Sequence, residues 1–564
     1  MQSIIEDGLR WLMADMPEDR TLRDEKSLRF FLALCSRDQN SRSHALENIS
    51  RALDAWVDGY GSPQEAVYHN NHHDARIQPL DRKPLVKELL PDLLRFSIYC
   101  PFEDVRSKCG ALLLDLQERG LKIPRRVGRG PSRFIPENEI VPVDTDDEET
   151  QMLFVDAFLQ NNRLEHIVQV MGYHPKYLDS FLKTQQYILR GDGPLPYDYR
   201  HYIAIMASAR HQCSYLINLH KTEFLLCGGE ETWLKGLDHI PQKLRDLYEI
   251  IKILAHRPWL ISKNHIEKLT RGNDNWSLAE VMHALIIIAH FHAMCSFVYG
   301  CGIHPEIDEE NGHTFRPSSS SDSEDNHSSS NSHSGSPTST DAAAGIEALM
   351  ERMKQLNETG EEPTQEEMLA RFQKVESQSL ELEAGKSQLS PKASILCYVE
   401  DPSFGYEDFA MRGAVQEIPT FRAQDFSWED QGYSLANRLY SDIGTLLDDK
   451  FNTAYNLTYF TMGPNTDVDT SSFRRAIWNY IHCMYGIRHD DYNYGEVNHL
   501  LERYLKSYVK TVTCYPERVS KKDYDNFMRG FKHSEKVHVN LMLLEAKMQA
   551  ELLYSLRALT RYMT

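Results

Sequence analysis

Residues 200–229, RHYIAIMASARHQCSYLINLHKTEFLLCGG, constrain this chain more than any other stretch. The run is long and mostly apolar on one side, and Gly228 and Gly229 close it. It therefore reads as one or two buried helices ended by a glycine cap. Cys213 sits in its middle, with His211 just before it and His220 further on. A thiol needs a base or a cation close by to ionise at neutral pH. On a continuous helix Cys213 and His220 are two turns apart. They share a face but lie about 10.5 Å apart along the axis, beyond hydrogen-bonding distance unless the helix breaks between them. Spacing alone favours Cys213 as a small buried hydrophobe and His220 as a satisfied residue at the helix edge.

Composition narrows the remaining classes. The chain has 564 residues, enough for two to four domains, and 82 acidic against 62 basic residues give a net charge of −20. So acidic a chain is a poor nucleic-acid binder. Ten cysteines without a CxxC pair fit reduced thiols in the cytoplasm or nucleus, not a disulfide framework or a zinc site. The N-terminus mixes acids into its apolar run and is not a signal peptide. Residues 281–303 are apolar and uncharged apart from His283, His290 and His292, and Ser277 with Glu280 forms a capping box ahead of them. Three imidazoles suit a buried protein helix better than a membrane span. They could also hold a metal, but no carboxylate pattern accompanies them; no metal and no cofactor is expected.

Taken in order, residues 1–125 read as an N-terminal helical extension, with helical apolar spacing at 28–34, 45–56 and 85–96. Residues 126–150 are a linker, basic and rich in Gly and Pro at first and then acidic. Residues 151–304 form a helical domain. Residues 305–342 are a disordered Ser-rich linker, whose acidic-flanked serines at 321–325 suit phosphorylation. Residues 343–394 hold two amphipathic helices, one with a stripe through Ile346, Leu349, Met350 and Met353, the other opened by a Thr364–Glu367 capping box. Residues 395–564 form a second helical unit. Cys213-Ser-Tyr215 and Cys483-Met-Tyr485, each after an apolar run, are a weak internal echo. The fold class is all-α, with little strand signal anywhere.

RHYIAIMASARHQCSYL resembles a signature of the sestrins, stress-induced regulators of nutrient signalling. DPSFGYEDF (401–409), TFRAQDFSWEDQGYSL (420–435), RRAIWNYIHCMYGIRHDDYNYGEVN (474–498) and HSEKVHVN (533–540) match the same family, and the likeness runs from about residue 134 to the C-terminus. The resemblance implies two helical alkyl-hydroperoxidase-like domains. The active helix of that wider family reads Cys-x-x-Cys-x-x-x-His with a glutamate upstream. On it Cys213 matches the first cysteine and His220 the histidine, while Leu216 replaces the second cysteine and His201 the glutamate. A hydroperoxide reductase would use Cys213 as nucleophile, His220 as proton relay and Tyr215 beside them. Its sulfenic acid would need a resolving thiol from elsewhere.

A sensor of a free amino acid needs a cation for the carboxylate, an anion for the ammonium and an apolar hole. The resemblance places leucine in the C-terminal half, with Arg474 on its carboxylate, Glu535 on its ammonium, and Thr458, Tyr459, Thr461 and Thr470 as a lid. The polar, turn-forming GPNTDVDT (463–470) suits a lid. Met528 stands where a relative has Trp, and Phe473 where it has Leu. The acidic pair Asp490 and Asp491 lies in an acidic and aromatic patch, HDDYNY, of a composition found at protein interfaces, with a solvated turn as the even alternative. In sestrins the matching pair contacts the second GATOR subcomplex. Arg503, Lys506 and Lys510 match a segment linked to Rag GTPases, although their helical spacing reads first as a solvated face. Peroxiredoxins are a further implied partner. The implied function is a stress-responsive leucine sensor. Without leucine it would bind and inhibit the second GATOR subcomplex and so restrain target-of-rapamycin complex signalling; leucine would release the partner. The alternative is a cysteine-dependent hydroperoxide reductase with an antioxidant role.

Overall fold

The computed structural model describes residues 30–58, 83–126, 130–272, 274–308, 339–358, 363–382, 393–414 and 418–564. Residues 309–338, which hold the serine-rich stretch expected to be disordered and its cluster at 321–325, lie outside them. The all-α expectation is borne out: among the described residues the strands are four two-residue pieces. Contacts divide the chain into two units. One is drawn from Met1–Pro131, Pro136–Pro175 and His304–His333, the other from Ser132–Ile135, Lys176–Ile303 and Ser334–Thr564.

In the first unit α1 (Gln39–Val57), α2 (Lys83–Tyr99) and α3 (Glu103–Glu118) pack around Phe31, Trp56, Leu93 and Phe96. Asp38 starts α1 by accepting a hydrogen bond from the Ser41 amide at 2.8 Å. The N-terminal residues do not close this core alone. Phe158 of α4 (Glu148–Asn161) completes it with an edge-on contact to Phe96. Burying a side chain of this size contributes about 1.5–3 kcal/mol. Beside the core, burial would raise the Asp308 carboxyl, but the Arg163 and Arg95 guanidiniums, 2.7 and 2.8 Å away, hold it well below the usual carboxylate range.

The second unit contains α5 (Pro175–Arg190), α6 (Tyr197–Arg210), α7 (Ser214–Leu226), α8 (Tyr248–His256) and α9 (Leu278–Gly300). After the undescribed residues come α10 (Ser339–Glu358), α11 (Gln365–Leu380), β1 (Phe421–Arg422), α12 (Ile443–Asn456), β2 (Thr461–Met462), β3 (Asn465–Thr466), α13 (Ser471–Met484), β4 (Ile487–Arg488), α14 (Arg503–Cys514) and α15 (His533–Met563). β1 and β4 pair in parallel and β2 and β3 form an antiparallel hairpin. The hairpin turns at Gly463, whose positive φ (60°) is the backbone a two-residue turn needs.

Helix α9 opens with the expected box, Ser277 N donating to Glu280 at 2.7 Å and Glu280 N to Ser277 Oγ at 3.2 Å. By length and composition it could cross a membrane, yet its apolar window is wholly buried inside the protein. Its surface carries no polar stripe because α15 and α6 pack against it. Helix α13 packs on α15 in turn, so helices from before and after the serine-rich stretch share one core. Charges lie inside that core. Lys450 pairs with Glu545 at 3.1 Å, and burial pulls the lysine down and pushes the glutamate up.

One alternative raised by the sequence falls away and one expectation needs correction. His283, His290 and His292 do not converge. His283 bonds the Ile188 carbonyl at 2.7 Å, His292 bonds Glu551 at 2.8 Å, and His290 stacks on Phe181. At about 100° per residue His283 and His290 share a face two turns apart, and His292 points away from both. Lys510 is not on a solvated face: it is buried, with Nζ 2.6 Å from the Ser379 carbonyl and 2.9 Å from Asp408.

Candidate functional sites

The stretch 200–229 folds as α6 and α7, broken at 211–213. Gln212 takes φ +55°, and its carbonyl accepts a hydrogen bond from Tyr299 at 2.7 Å. Cys213 caps α7, its amide donating to Ser208 O at 3.1 Å. The end of α7 is the expected glycine cap: Gly228 takes φ +81°, and the Gly229 amide reaches Phe224 O at 2.9 Å. Because the break falls before Cys213, α7 runs unbroken to His220. His220 meets His201 instead, the two Nδ1 atoms 3.0 Å apart, and packs edge-on against Phe291. Only one of those nitrogens can carry the proton. Burial holds both rings neutral, with His201 pushed down to about 3 and His220 well below its ordinary value. Cys213 and Tyr215 are buried in the same turn.

The leucine residues expected in the C-terminal half gather around one segment, 455–470. Thr470 caps α13, and Arg474 follows in its first turn. The Arg474 guanidinium donates from Nε to Thr470 Oγ1 at 3.2 Å and from Nη1 to the Tyr455 carbonyl. Thr458 Oγ1 is 3.4 Å from Thr470 Oγ1. Burial lowers Arg474, and Tyr455 and Asp469 oppose it. Glu535, in the first turn of α15, accepts from Thr461 Oγ1 at 3.2 Å and from the Gly463 and Lys532 amides at 2.9 and 2.8 Å. Arg474 thus holds the two ends of the segment, at Tyr455 and Thr470, and Glu535 holds its middle, at Thr461 and Gly463; no ion pair joins them among the described residues. Tyr459 and Phe460 between them are exposed. Phe473 is buried, and Met528 is half-buried at φ +47°.

Asp490 and Asp491 follow β4. They differ: Asp490 is ion-paired to Arg488 at 2.6 Å and Arg422 at 3.4 Å, whereas Asp491 is exposed. Pairing spends much of the Asp490 charge within the protein and fixes the loop that presents Asp491.

Sequence reasoning missed Cys295. It lies on α9 with its sulfur 3.9 Å from Ser208 O, the carbonyl that the Cys213 amide also uses. The signal was a cysteine in the segment singled out for its histidines, but no spacing rule links residues so far apart.

The profile of the family described as PA26 p53-induced protein (sestrin) matches residues 130–563. Sestrin-1 of Xenopus laevis is 54% identical over 458 residues, covering 79% of this chain and 95% of the relative. Sestrin-3 of Mus musculus is 54% identical over 469 residues, covering 79% and 95%. Sestrin-2 of Homo sapiens is 53% identical over 446 residues, covering 78% and 92%. The chain belongs to the sestrin family. The profile begins after α1–α3, so the helices that build most of the first unit's core lie ahead of the matched region.

Proposed function

We propose that this protein is a leucine sensor that binds and inhibits the second GATOR subcomplex when leucine is absent and releases it when leucine binds. The observation that carries the reading is the arrangement of Arg474 and Glu535. They are opposite charges that hold one segment at different points, Arg474 at Tyr455 and Thr470 and Glu535 at Thr461 and Gly463, and no ion pair joins them among the described residues. A zwitterion between them would meet a guanidinium at its carboxylate and a carboxylate at its ammonium. Thr470 and Thr461 already bond those two residues, and Thr458 bonds Thr470, so ligand contacts would order the segment. Asp491, with Asp490 as its brace, is the proposed partner contact.

Calorimetry with leucine, and capture of the second GATOR subcomplex with and without leucine, test the reading. The parent should bind leucine and lose the partner. Arg474→Ala and Glu535→Ala should hold the partner in both conditions, and Asp490→Ala/Asp491→Ala should lose it in both while still binding leucine. Unchanged leucine binding in the Arg474 or Glu535 variant would put the pocket elsewhere.

A second reading, hydroperoxide reduction at Cys213, is favoured by one observation: Cys213 is the N-cap of α7. The partial positive charge of a helix N-terminus favours a thiolate. Peroxide consumption by the parent and by Cys213→Ser tests it, loss in the variant being the expected result.

A further inference from the structure

Two cysteines from different helices meet at the turn between α6 and α7. The Cys213 amide and the Cys295 sulfur both approach Ser208 O, at 3.1 and 3.9 Å. The Cys213 thiol is close enough to push the Cys295 thiol up. One turn along α9, the Tyr299 hydroxyl bonds the Gln212 carbonyl at 2.7 Å and holds the turn against the helix. Neighbouring Ser296 accepts from Lys547 at 3.2 Å, and the same ammonium lies 3.3 Å from His211 Nε2. Both cysteines are free and buried.

We propose that Cys295 is the resolving thiol for Cys213, and that the two form a reversible disulfide. The proposal rests on the reading of Cys213 as an oxidisable thiol and assigns the fate of its sulfenic acid. Hydrogen peroxide supplies the oxidising equivalents. The Cys213 sulfur attacks one peroxide oxygen, the S–O bond forms, the O–O bond breaks, and the other oxygen leaves as water. Cys213 is then a sulfenic acid. The Cys295 sulfur attacks the Cys213 sulfur, the S–S bond forms and the S–O bond breaks. The hydroxyl leaves with the Cys295 proton as a second water. A dithiol returns both cysteines to thiols by exchange and becomes a disulfide itself.

The surroundings suit those roles. Burial, and then the Cys213 thiol, holds the Cys295 thiol well above its ordinary range, with Lys547 opposing. Cys295 therefore enters as the thiol, and its proton passes to the leaving hydroxyl as the S–S bond forms. A sulfenic acid in this closed site has a thiol beside it, and condensation competes with further oxidation.

The test oxidises the full chain with hydrogen peroxide, quenches free thiols by alkylation, and maps peptides by mass spectrometry with and without dithiothreitol. The expected result is a peptide linking Cys213 to Cys295 that appears with peroxide and disappears with dithiothreitol. In Cys295→Ser and Cys295→Ala the link is lost, and Cys213 is captured by dimedone or found as sulfinic acid. Thermal melts of both variants show that they are folded. If dimedone captures Cys213 as well in the parent as in the variants, Cys213 is oxidisable and the resolving role is overturned. If Cys213 stays alkylated as a thiol throughout, the proposal and the oxidisable-thiol reading fail together.

Discussion

The Cys213 turn and the 455–470 segment are both built at helix N-termini of the same unit, yet they suit opposite chemistry. At the first, α9 covers the turn, and the histidines around it are neutral because burial removes the water that would stabilise their charge. At the second, Arg474 and Glu535 hydrogen-bond a segment whose Tyr459 and Phe460 face solvent. A closed, uncharged site admits small neutral oxidants. An open, charged one suits a zwitterion. The difference comes from position: one turn is packed under a core helix, the other crosses the surface between two.

The largest test of that contrast is acid. His201 and His283 are pushed down to about 3, and His211, His220, His290 and His292 well below their ordinary value, burial being the main cause in each. Below pH 6.5 the unfolded chain protonates these rings and the folded chain does not. Stability is therefore full above about pH 6.5 and falls as pH drops, by up to about 1.4 kcal/mol per pH unit for each ring. Denaturant titrations at pH 7 and pH 5 should show a large loss. Equal stability at both would mean the rings are hydrated and the contrast is false.

Next is the charged site. Removing Arg474 or Glu535 leaves one ligand charge unmatched at a cost of about 2–5 kcal/mol. That is roughly a thirtyfold to several-thousandfold loss of leucine affinity by calorimetry. A smaller effect is expected at the hairpin. A side chain at Gly463 faces a φ of +60° and would meet Ile346 Cδ1 at 2.6 Å. Gly463→Ala should cost about 1–2 kcal/mol and weaken leucine binding without altering Cys213 alkylation. A parallel change at Cys213 would couple the two regions. The smallest expected effect is none: Cys213→Ser should leave leucine affinity within about 0.5 kcal/mol, as independent sites do. A larger shift would make the thiol turn part of the sensor.

Helix-level features were legible wherever local rules apply. The Gly228 cap, the Ser277–Glu280 and Thr364–Glu367 boxes and the burial of α9 depend on residues within a few positions of each other. Lys510 was misread because helical spacing shows which residues share a face, and not that Asp408 waits there. The histidines of α9 read as those of a buried helix, but their partners, Ile188 and Glu551, come from other elements and were not legible.

By itself the sequence determined an acidic, all-α chain, the ends of its principal helices, and, through family likeness, the residues that gather at 455–470. Those properties arise from backbone hydrogen bonding and apolar periodicity, which are local. Tertiary structure alone decided that His220 answers His201 rather than Cys213, that Asp490 is braced by two arginines, and that Cys295 lies beside Cys213. Each of these joins residues from separate elements, and only the packing of helices in three dimensions sets which side chains share a buried space.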